Sequence, residues 1–279
     1  MVLESLISPL EAGNKLKRVF VFGFIYSVVG AFLALWIFRS NASLVMVFLT
    51  VIASIPLMYL TLRLEEKKDR VIKNEKILIK SHGKALKVFM FLFFGMIIGY
   101  SLLFIFMPSA TTDVLFQTQT DTIKAINANI SGNAISGNAT IGGILLKIIL
   151  NNVKVLFFTV LFAFFYGAGA IFILTWNASV IGAAVGNFVN ARVLNFIDYF
   201  HVIPLGIMRY MTHGVFEILA YFIGGLAGGI ISVAVINHDI DTDNFKNILK
   251  DSVDLILLAL VVIIFAGLIE VFVTPVFFS

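Results

Sequence analysis

The sequence contains no cysteine and few charged residues, and both absences restrict what the chain can be. Without cysteine, disulfide bonds and thiolate metal sites are excluded. Asp, Glu, Lys and Arg together make up 13% of the 279 residues, whereas hydrophobic residues make up 60%. This composition is typical of membrane proteins, and it predicts one membrane domain over residues 1–279 with no separate soluble domain.

The sequence signatures of several enzyme classes are also absent. The chain has neither a glycine-rich phosphate loop nor a nucleophile elbow. Its four histidines, at positions 82, 201, 213 and 238, do not follow the spacing of zinc ligands. Glu4 and Glu11 interrupt the first apolar run, so we expect no signal peptide. We therefore expect a non-enzymatic protein of the lipid bilayer, with no cofactor, no metal and no nucleic-acid partner.

Long apolar runs dominate the chain and predict an all-α, polytopic transmembrane helical bundle of about six spans. The predicted spans cover residues 19–38, 42–62, 88–107, 151–176, 204–236 and 253–273. Residues 177–203 are apolar but interrupted by four polar residues, which predicts an interfacial or re-entrant elbow helix. A straight helix over 204–236 would be about 50 Å long, too long for one span, so we expect a break at Gly214.

The basic residues are distributed unevenly between the predicted loops. Nine Lys or Arg lie within residues 63–87, which places this segment in the cytoplasm. The segment belongs to the N-terminal part of the chain, residues 1–107, which is predicted to contain three spans. The segment is either a topology determinant alone or also a docking surface for a membrane or cytoplasmic partner or anionic lipid. Residues 108–146 form an extracytoplasmic loop with glycosylation sequons at Asn129 and Asn138. We expect a multi-pass plasma-membrane protein with both termini in the cytoplasm. In this topology, 14 of the 20 Lys and Arg residues lie on the cytoplasmic side and 6 lie outside, as the positive-inside rule requires.

The second half of the chain, residues 147–279, contains a predicted membrane span that carries two ionisable residues. His213 and Glu217 lie four residues apart, so they share one face of a helix. A carboxylate at the centre of the bilayer costs at least ~2.5 kcal/mol. The pair is therefore expected to face protein, water or an ion.

The predicted topology brings further polar groups to the level of this pair, in the inner leaflet. The expected cluster consists of Asn177, His213, Glu217 and Glu270, with Arg192, Asp198 and Arg209 as charge partners. Three interpretations remain open: a structural lock between helices, a site of ion or proton permeation, and a catalytic or metal site. A catalytic zinc normally needs a third protein ligand, and His201 is the only spare histidine nearby.

Small residues recur at four-residue spacing in several spans, which predicts close helix packing. The pairs are Gly95 with Gly99, Gly182 with Gly186, Gly224 with Gly228, and Gly225 with Gly229. Several such faces on one small protein make a homo-oligomer plausible.

The second half resembles the SpoIIM-like (stage II sporulation protein M, DUF95) membrane family over residues 145–277. The matching blocks are Asn151-Asn152-Val-Lys-Val, Gly167-Ala-Gly-Ala, Trp176-Asn177-Ala-Ser-Val-Ile-Gly182, Thr212-His213-Gly214-Val-Phe-Glu217-Ile, Gly224-Gly-Leu-Ala-Gly228 and Leu268-Ile-Glu270-Val-Phe-Val-Thr274-Pro275. Trp176 and Ala178 depart from the family pattern, and we expect the resemblance not to extend into residues 1–144.

The resemblance implies a polytopic membrane protein whose family motif residues are the polar cluster named above. In sporulating bacteria, the family member is a non-catalytic membrane subunit that works with a peptidoglycan-degrading enzyme and a further membrane protein. The family also occurs in bacteria and archaea that make no spores, so this role does not transfer directly. Two functions thus stand side by side: an oligomeric or partner-binding membrane component, and a channel or transporter for an ion, proton or small solute. A membrane-embedded hydrolase is a minor alternative.

Overall fold

The computed structural model describes residues 9–71, 75–135, 140–166, 169–236 and 243–278, and it confirms the all-α class. Nearly all of these residues are helical, and no strand occurs among them. The helices are α1 (Pro9–Asn14), α2 (Leu16–Ile37), α3 (Ala42–Val71), α4 (Glu75–Phe106), α5 (Ser109–Leu115), α6 (Gln117–Ile135), α7 (Ile141–Tyr166), α8 (Ala170–Asn190), α9 (Asp198–Ile236), α10 (Asp243–Leu268) and α11 (Thr274–Phe278). A 3₁₀ turn at Arg39–Asn41 joins α2 to α3, and a π turn at Ile269–Val273 joins α10 to α11.

Within the described ranges, seven helical segments are long and apolar enough to cross a membrane, one more than expected. The extra one arises because the expected span at 151–176 is divided between α7, which ends at Tyr166, and α8, which begins at Ala170. The expected elbow at 177–203 is largely the second half of α8. Only small residues separate the two helices in the sequence, so hydropathy reads them as one continuous apolar run.

Contacts between helices of the first half fix their relative directions. On α4, a Cβ atom at Gly95 would clash with the Phe20 carbonyl, and one at Gly99 would clash with the Ser27 hydroxyl, so α2 and α4 run parallel. The helix between them in sequence, α3, runs antiparallel to both. It contacts α4 through a hydrogen bond of 2.9 Å that the Tyr100 hydroxyl donates to Thr50.

The second half is arranged around α9. Asn152 contacts Glu217 and Val160 contacts Gly228, so α7 and α9 run parallel. Conversely, α8 is antiparallel to α9, because Gly225 lies against Ala170 while Gly206, nearer the start of α9, lies against Phe188.

The C-terminal rod of α10 and α11 is also antiparallel to α9. Arg209, near the start of α9, donates a hydrogen bond to the Phe278 carbonyl, and Phe216 packs against Phe265 at 5.1 Å. Seven long helices of alternating direction therefore place the two ends of the described chain at opposite faces of the bundle. The expectation that both termini lie in the cytoplasm stays a prediction, and it requires an even number of these helices to cross the membrane.

Helix α9 runs unbroken through Gly214, where a break was expected. Its 39 residues span about 58 Å at 1.5 Å per residue, so the helix extends well beyond an apolar core of about 30 Å. Pro204 lies in its second turn. The first turns of α9 pack on the end of α8, where Gly206 contacts Phe188.

The two long segments that connect predicted spans, 63–87 and 108–146, contain helices. Within residues 63–87, α3 continues to Val71 and α4 begins at Glu75, and His82 bonds Glu65 at 2.8 Å between them. Outside the spans, α6 is held by Gln119, whose amide donates to the Ser179 hydroxyl at 3.1 Å. Asn138 and the side chain of Asn129, the two predicted sequons, lie outside the described residues.

Candidate functional site

Three ionisable side chains converge near the middle of the bundle. His213 and Glu217 come from one face of α9, and Glu270 comes from the π turn that follows α10. One possible ligand atom from each lies within 4.8 Å of those of the other two, and all three side chains are half-buried. The carboxyl groups of Glu217 and Glu270 are therefore close enough to interact directly. Two ionised carboxylates this close repel each other strongly.

The π turn determines where Glu270 points. It widens the helix by one residue over Ile269–Val273, and the Thr274 hydroxyl donates to the Ile269 carbonyl at 3.3 Å. Short π segments are rare and occur frequently at functional sites. The turn therefore shifts the register of the helix at the position that supplies the second carboxylate.

Neutral side chains hold the cluster in place from two sides. On α7, Asn152 donates from Nδ2 to Glu217 Oε1 at 2.5 Å, and the buried Tyr221 hydroxyl donates to Asn152 Oδ1 at 3.0 Å. On the other side, His213 Nδ1 lies 3.2 Å from the Thr274 hydroxyl. The bonded nitrogen is Nδ1, so Nε2 of the imidazole is not used by this contact.

A cavity of about 420 Å³ adjoins the cluster. Its lining consists of Arg209, Tyr210, His213, Glu270, Thr274, Pro275 and Phe278. These residues lie on the part of α9 before Glu217 and on the last turns of the C-terminal rod. The cavity therefore extends from the cluster towards the face of the bundle opposite the basic segment 63–87.

On the other side of Glu217, the bundle is closely packed. A Cβ atom at Gly228 would lie 2.6 Å from the Val160 carbonyl, and one at Gly229 would lie 2.9 Å from Leu62. Gly224 and Gly225 are similarly close to Leu156 and Ala170. All residues from Tyr221 to Ile230 are buried. The glycines of this stretch thus serve packing between α9 and its neighbours in the same chain.

The other expected packing glycines also meet helices of the same chain. A Cβ atom at Gly182 would lie 2.6 Å from Tyr100, and one at Gly186 would clash with the Phe104 ring. Gly95 and Gly99 contact α2, as described above. Two glycines that the four-residue spacing did not indicate, Gly23 and Gly30, make equally close contacts on α2.

The structure brings together His213, Glu217 and Glu270, but Asn177 does not join them. The Asn177 amide donates to the carbonyl of Ile173 on its own helix at 2.9 Å. The asparagine bonded to Glu217 is Asn152, which the sequence prediction missed although Asn151 and Asn152 form a polar pair within an apolar run.

The three expected charge partners are distributed differently from the prediction. Arg209 lines the cavity, whereas Arg192 lies over the Phe188 ring at 3.8 Å. Asp198 begins α9, and its carboxylate accepts hydrogen bonds from the Leu194 and Asn195 amides at 2.8 and 2.9 Å. Arg192 and Asp198 thus lie at the two ends of the connection between α8 and α9, outside the cluster.

The depth of the cluster also differs from the expected inner-leaflet position. Asn152 is close to the midpoint of α7, which covers Ile141–Tyr166, so the cluster lies near mid-bundle. It opens away from the basic segment rather than towards it. The reason is the additional long helix, which reverses the direction of α9 relative to the prediction.

Comparison with known proteins supports the resemblance noted in the sequence and extends it. The family model described as stage II sporulation protein M, SpoIIM, matches residues 86–275, so the match begins in α4 rather than near residue 145. Neither a curated protein nor a solved structure matches the chain. The family match covers more than two thirds of the 279 residues and includes all three members of the cluster. The chain is thus a multi-pass membrane protein that belongs to the SpoIIM family.

Proposed function

We propose that the protein is a non-enzymatic membrane component that binds a small cation at His213, Glu217 and Glu270. The observation that carries this proposal is the approach of the three side chains to within 4.8 Å beside a cavity. Two ionised carboxylates so close in apolar surroundings repel each other unless a proton or a cation lies between them. The cavity gives a small ion a route to that position.

A purely structural lock is less well supported than a binding site. Gln119 illustrates a lock: its side chain is fully buried and bonds Ser43 and Ser179, which are buried as well. By contrast, all members of the cluster are half-buried, and His213 and Glu270 line the cavity. Polar groups that only hold helices together would be enclosed by their partners.

The packing beyond Glu217 supports capture of the cation rather than its passage. A channel would need a route past the four glycines of α9, where backbone and side-chain atoms of α7 and α3 are in close contact. The cavity and the packed stretch lie on opposite sides of Glu217. We therefore favour a binding site that opens to one face over a permeation path.

The distribution of basic residues supports an orientation for the seven-span arrangement. With the segment 63–87 in the cytoplasm, the inner side has 14 Lys or Arg, three near the N-terminus, nine in the segment, Lys246 and Lys250. The outer side has the remaining 6 of the 20. This orientation opens the cavity to the extracytoplasmic side of the plasma membrane.

Partner binding is the second candidate function, and the basic segment supports it. Arg63, Lys67, Lys84 and Lys87 are exposed there, on helices joined by the buried pair of His82 and Glu65. An acidic protein surface or anionic lipid would complement these charges. The expected homo-oligomer has less support, because the glycine faces that suggested it are occupied within the chain.

Thermal unfolding of the purified full-length protein in detergent tests the proposed cation site. Na⁺, K⁺, Mg²⁺, Ca²⁺ and Zn²⁺ would each be added at constant ionic strength. A cation that binds the folded state at 100 times its Kd stabilises it by about 2.7 kcal/mol. We expect at least one cation to raise the Tm and the variant Glu217→Gln to lose this effect.

The matched control is Asp113→Asn, which removes an exposed carboxylate outside the cluster and should respond to cations like the wild type. If none of the cations raises the Tm of the wild type, the proposed binding site is wrong. Stable co-purification of a protein in that case would favour the partner-binding function.

A further inference from the structure

Building on the proposed cation site, we propose that the cation is a divalent transition-metal ion, with Zn²⁺ as its best-fitting representative. The inference depends on three properties of the cluster: the kinds of ligand, their orientation and their combined charge. None of these properties would be needed to bind an alkali cation.

The donor set is that of a zinc site with an open position. Zinc binds His nitrogen at about 2.0–2.1 Å and carboxylate oxygen at about 2.0–2.2 Å, and catalytic-type sites use three protein ligands. His213, Glu217 and Glu270 provide one nitrogen and two oxygens within 4.8 Å of one another. Ligand atoms around a tetrahedral zinc lie about 3.4 Å apart. Metal binding therefore requires the ligand atoms to approach one another by at most about 1.4 Å.

Hydrogen bonds from outside the cluster orient two of the three ligands. Thr274 engages His213 at Nδ1, which leaves Nε2 available to a metal. Asn152 holds one oxygen of Glu217, and Tyr221 holds Asn152 in turn. Such partners fix the ligands of metal sites, and their removal typically weakens metal binding about 10–100-fold.

Charge favours a divalent ion over a monovalent one. Two carboxylates and a neutral imidazole carry a charge of −2, which a divalent cation cancels. A monovalent cation would leave one negative charge in the apolar middle of the bundle, where an unpaired charge is costly. Arg209 is a fixed positive charge on the nearby cavity wall. Its guanidinium donates a hydrogen bond to the Phe278 carbonyl.

The ligand types favour a transition metal over calcium or magnesium. Ca²⁺ takes six to eight oxygen ligands and Mg²⁺ keeps several waters in an octahedral shell, whereas imidazole suits zinc and related ions. The cavity next to His213 and Glu270 would hold the remaining ligand, a water or a small anion that Arg209 attracts. The site would then exchange this ligand with the face to which the cavity opens.

Zinc binding to the purified full-length protein tests the inference. The protein would be stripped with a chelator, loaded with ZnCl₂ and dialysed, and its zinc content measured by mass spectrometry. Competition with a chromogenic chelator gives the Kd. We expect one zinc per chain and at least about tenfold weaker binding in Glu270→Gln and His213→Gln. The controls Asp113→Asn and His201→Gln, both at exposed positions, should bind zinc like the wild type.

Cobalt provides a second measurement that does not depend on the variants folding. Co²⁺ in place of zinc should give the intense visible absorption of a tetrahedral site in the wild type. A wild type that takes up no zinc overturns the inference, as does a monodisperse Glu270→Gln variant that binds it with unchanged Kd. If zinc does not bind but another cation raises the Tm in a Glu217-dependent manner, the metal assignment fails while the cation site stands.

Discussion

At the scale of single residues, Asn152 has the most informative position in the cluster. Its amide joins Glu217 on one side and Tyr221 on the other, both inside the bundle. Asn152→Ala leaves the Tyr221 hydroxyl without its acceptor and removes a donor from Glu217. We expect a loss of about 1–3 kcal/mol in the free energy of unfolding, measured by denaturant titration in detergent.

Asn187→Ala is the matched control for this substitution, because Asn187 is exposed on α8. It should change the free energy of unfolding by less than about 0.5 kcal/mol. Equal effects of the two substitutions would show that the contacts of Asn152 contribute nothing beyond its helical position.

The cluster illustrates how far sequence reasoning reaches at this scale. The spacing of His213 and Glu217 places them on one helix face whatever the topology, so their proximity was predictable. Asn177 was chosen as their partner because its predicted depth matched theirs. Depth, however, does not specify which helices are neighbours or which way a side chain points. The sequence carries no direct signal for the parallel packing of α7 and α9 that brings Asn152 to Glu217.

At the scale of helices, the contact of α2 with α4 depends on glycine. Gly95 of α4 faces the Phe20 carbonyl so closely that an added Cβ would clash with the α2 backbone, which cannot rotate away as a side chain can. Gly95→Ala should therefore separate the two helices and destabilise the fold by about 1–3 kcal/mol. The expected result is a lower Tm in detergent.

Gly83→Ala, on the same helix, separates this packing effect from helix propensity. A Cβ atom at Gly83 would have no neighbour within 4 Å. Since alanine is the better helix former by about 1 kcal/mol, the substitution should leave the Tm unchanged or raise it. A Gly95→Ala variant as stable as Gly83→Ala would contradict the close approach of α2 and α4.

Hydropathy located most of the spans but missed the reversal between α7 and α8. Averaged over a window, residues from Ile141 to Asn190 are apolar throughout, and the small residues between α7 and α8 in the sequence leave this average unchanged. Earlier reversals carry polar signals: Arg39–Asn41 joins α2 to α3, and the bases of 63–87 separate α3 from α4. Apolarity thus predicts that a segment lies in the bilayer, whereas charge predicts where the chain turns.

At the scale of the whole molecule, the two faces of the bundle differ in chemistry. One face has the basic segment 63–87, and the other has the opening of the cavity that reaches His213 and Glu270. Between them, the packed glycines of α9 close the interior. A ligand that enters the cavity and a partner that docks on the basic segment would therefore meet the protein from opposite sides of the membrane.

Single cysteines can test this arrangement, because the natural chain has no cysteine that would react in the background. Ser40, Leu194 and Lys84 are exposed, and Leu194 is 93% accessible. In the seven-span bundle, Ser40 and Leu194 share one face and Lys84 lies on the other. A membrane-impermeant maleimide on intact cells should therefore label Ser40→Cys and Leu194→Cys, and should label Lys84→Cys only after permeabilisation.

The position of Leu194 decides between the two architectures. An elbow helix at 177–203 would place Leu194 on the cytoplasmic side together with Lys84, whereas two full crossings by α7 and α8 place it with Ser40. Labelling of Leu194→Cys in the same fraction as Lys84→Cys would contradict the seven-span bundle. Labelling of Lys84→Cys alone on intact cells would instead keep the seven spans and reverse the orientation, so that the cavity would open to the cytoplasm.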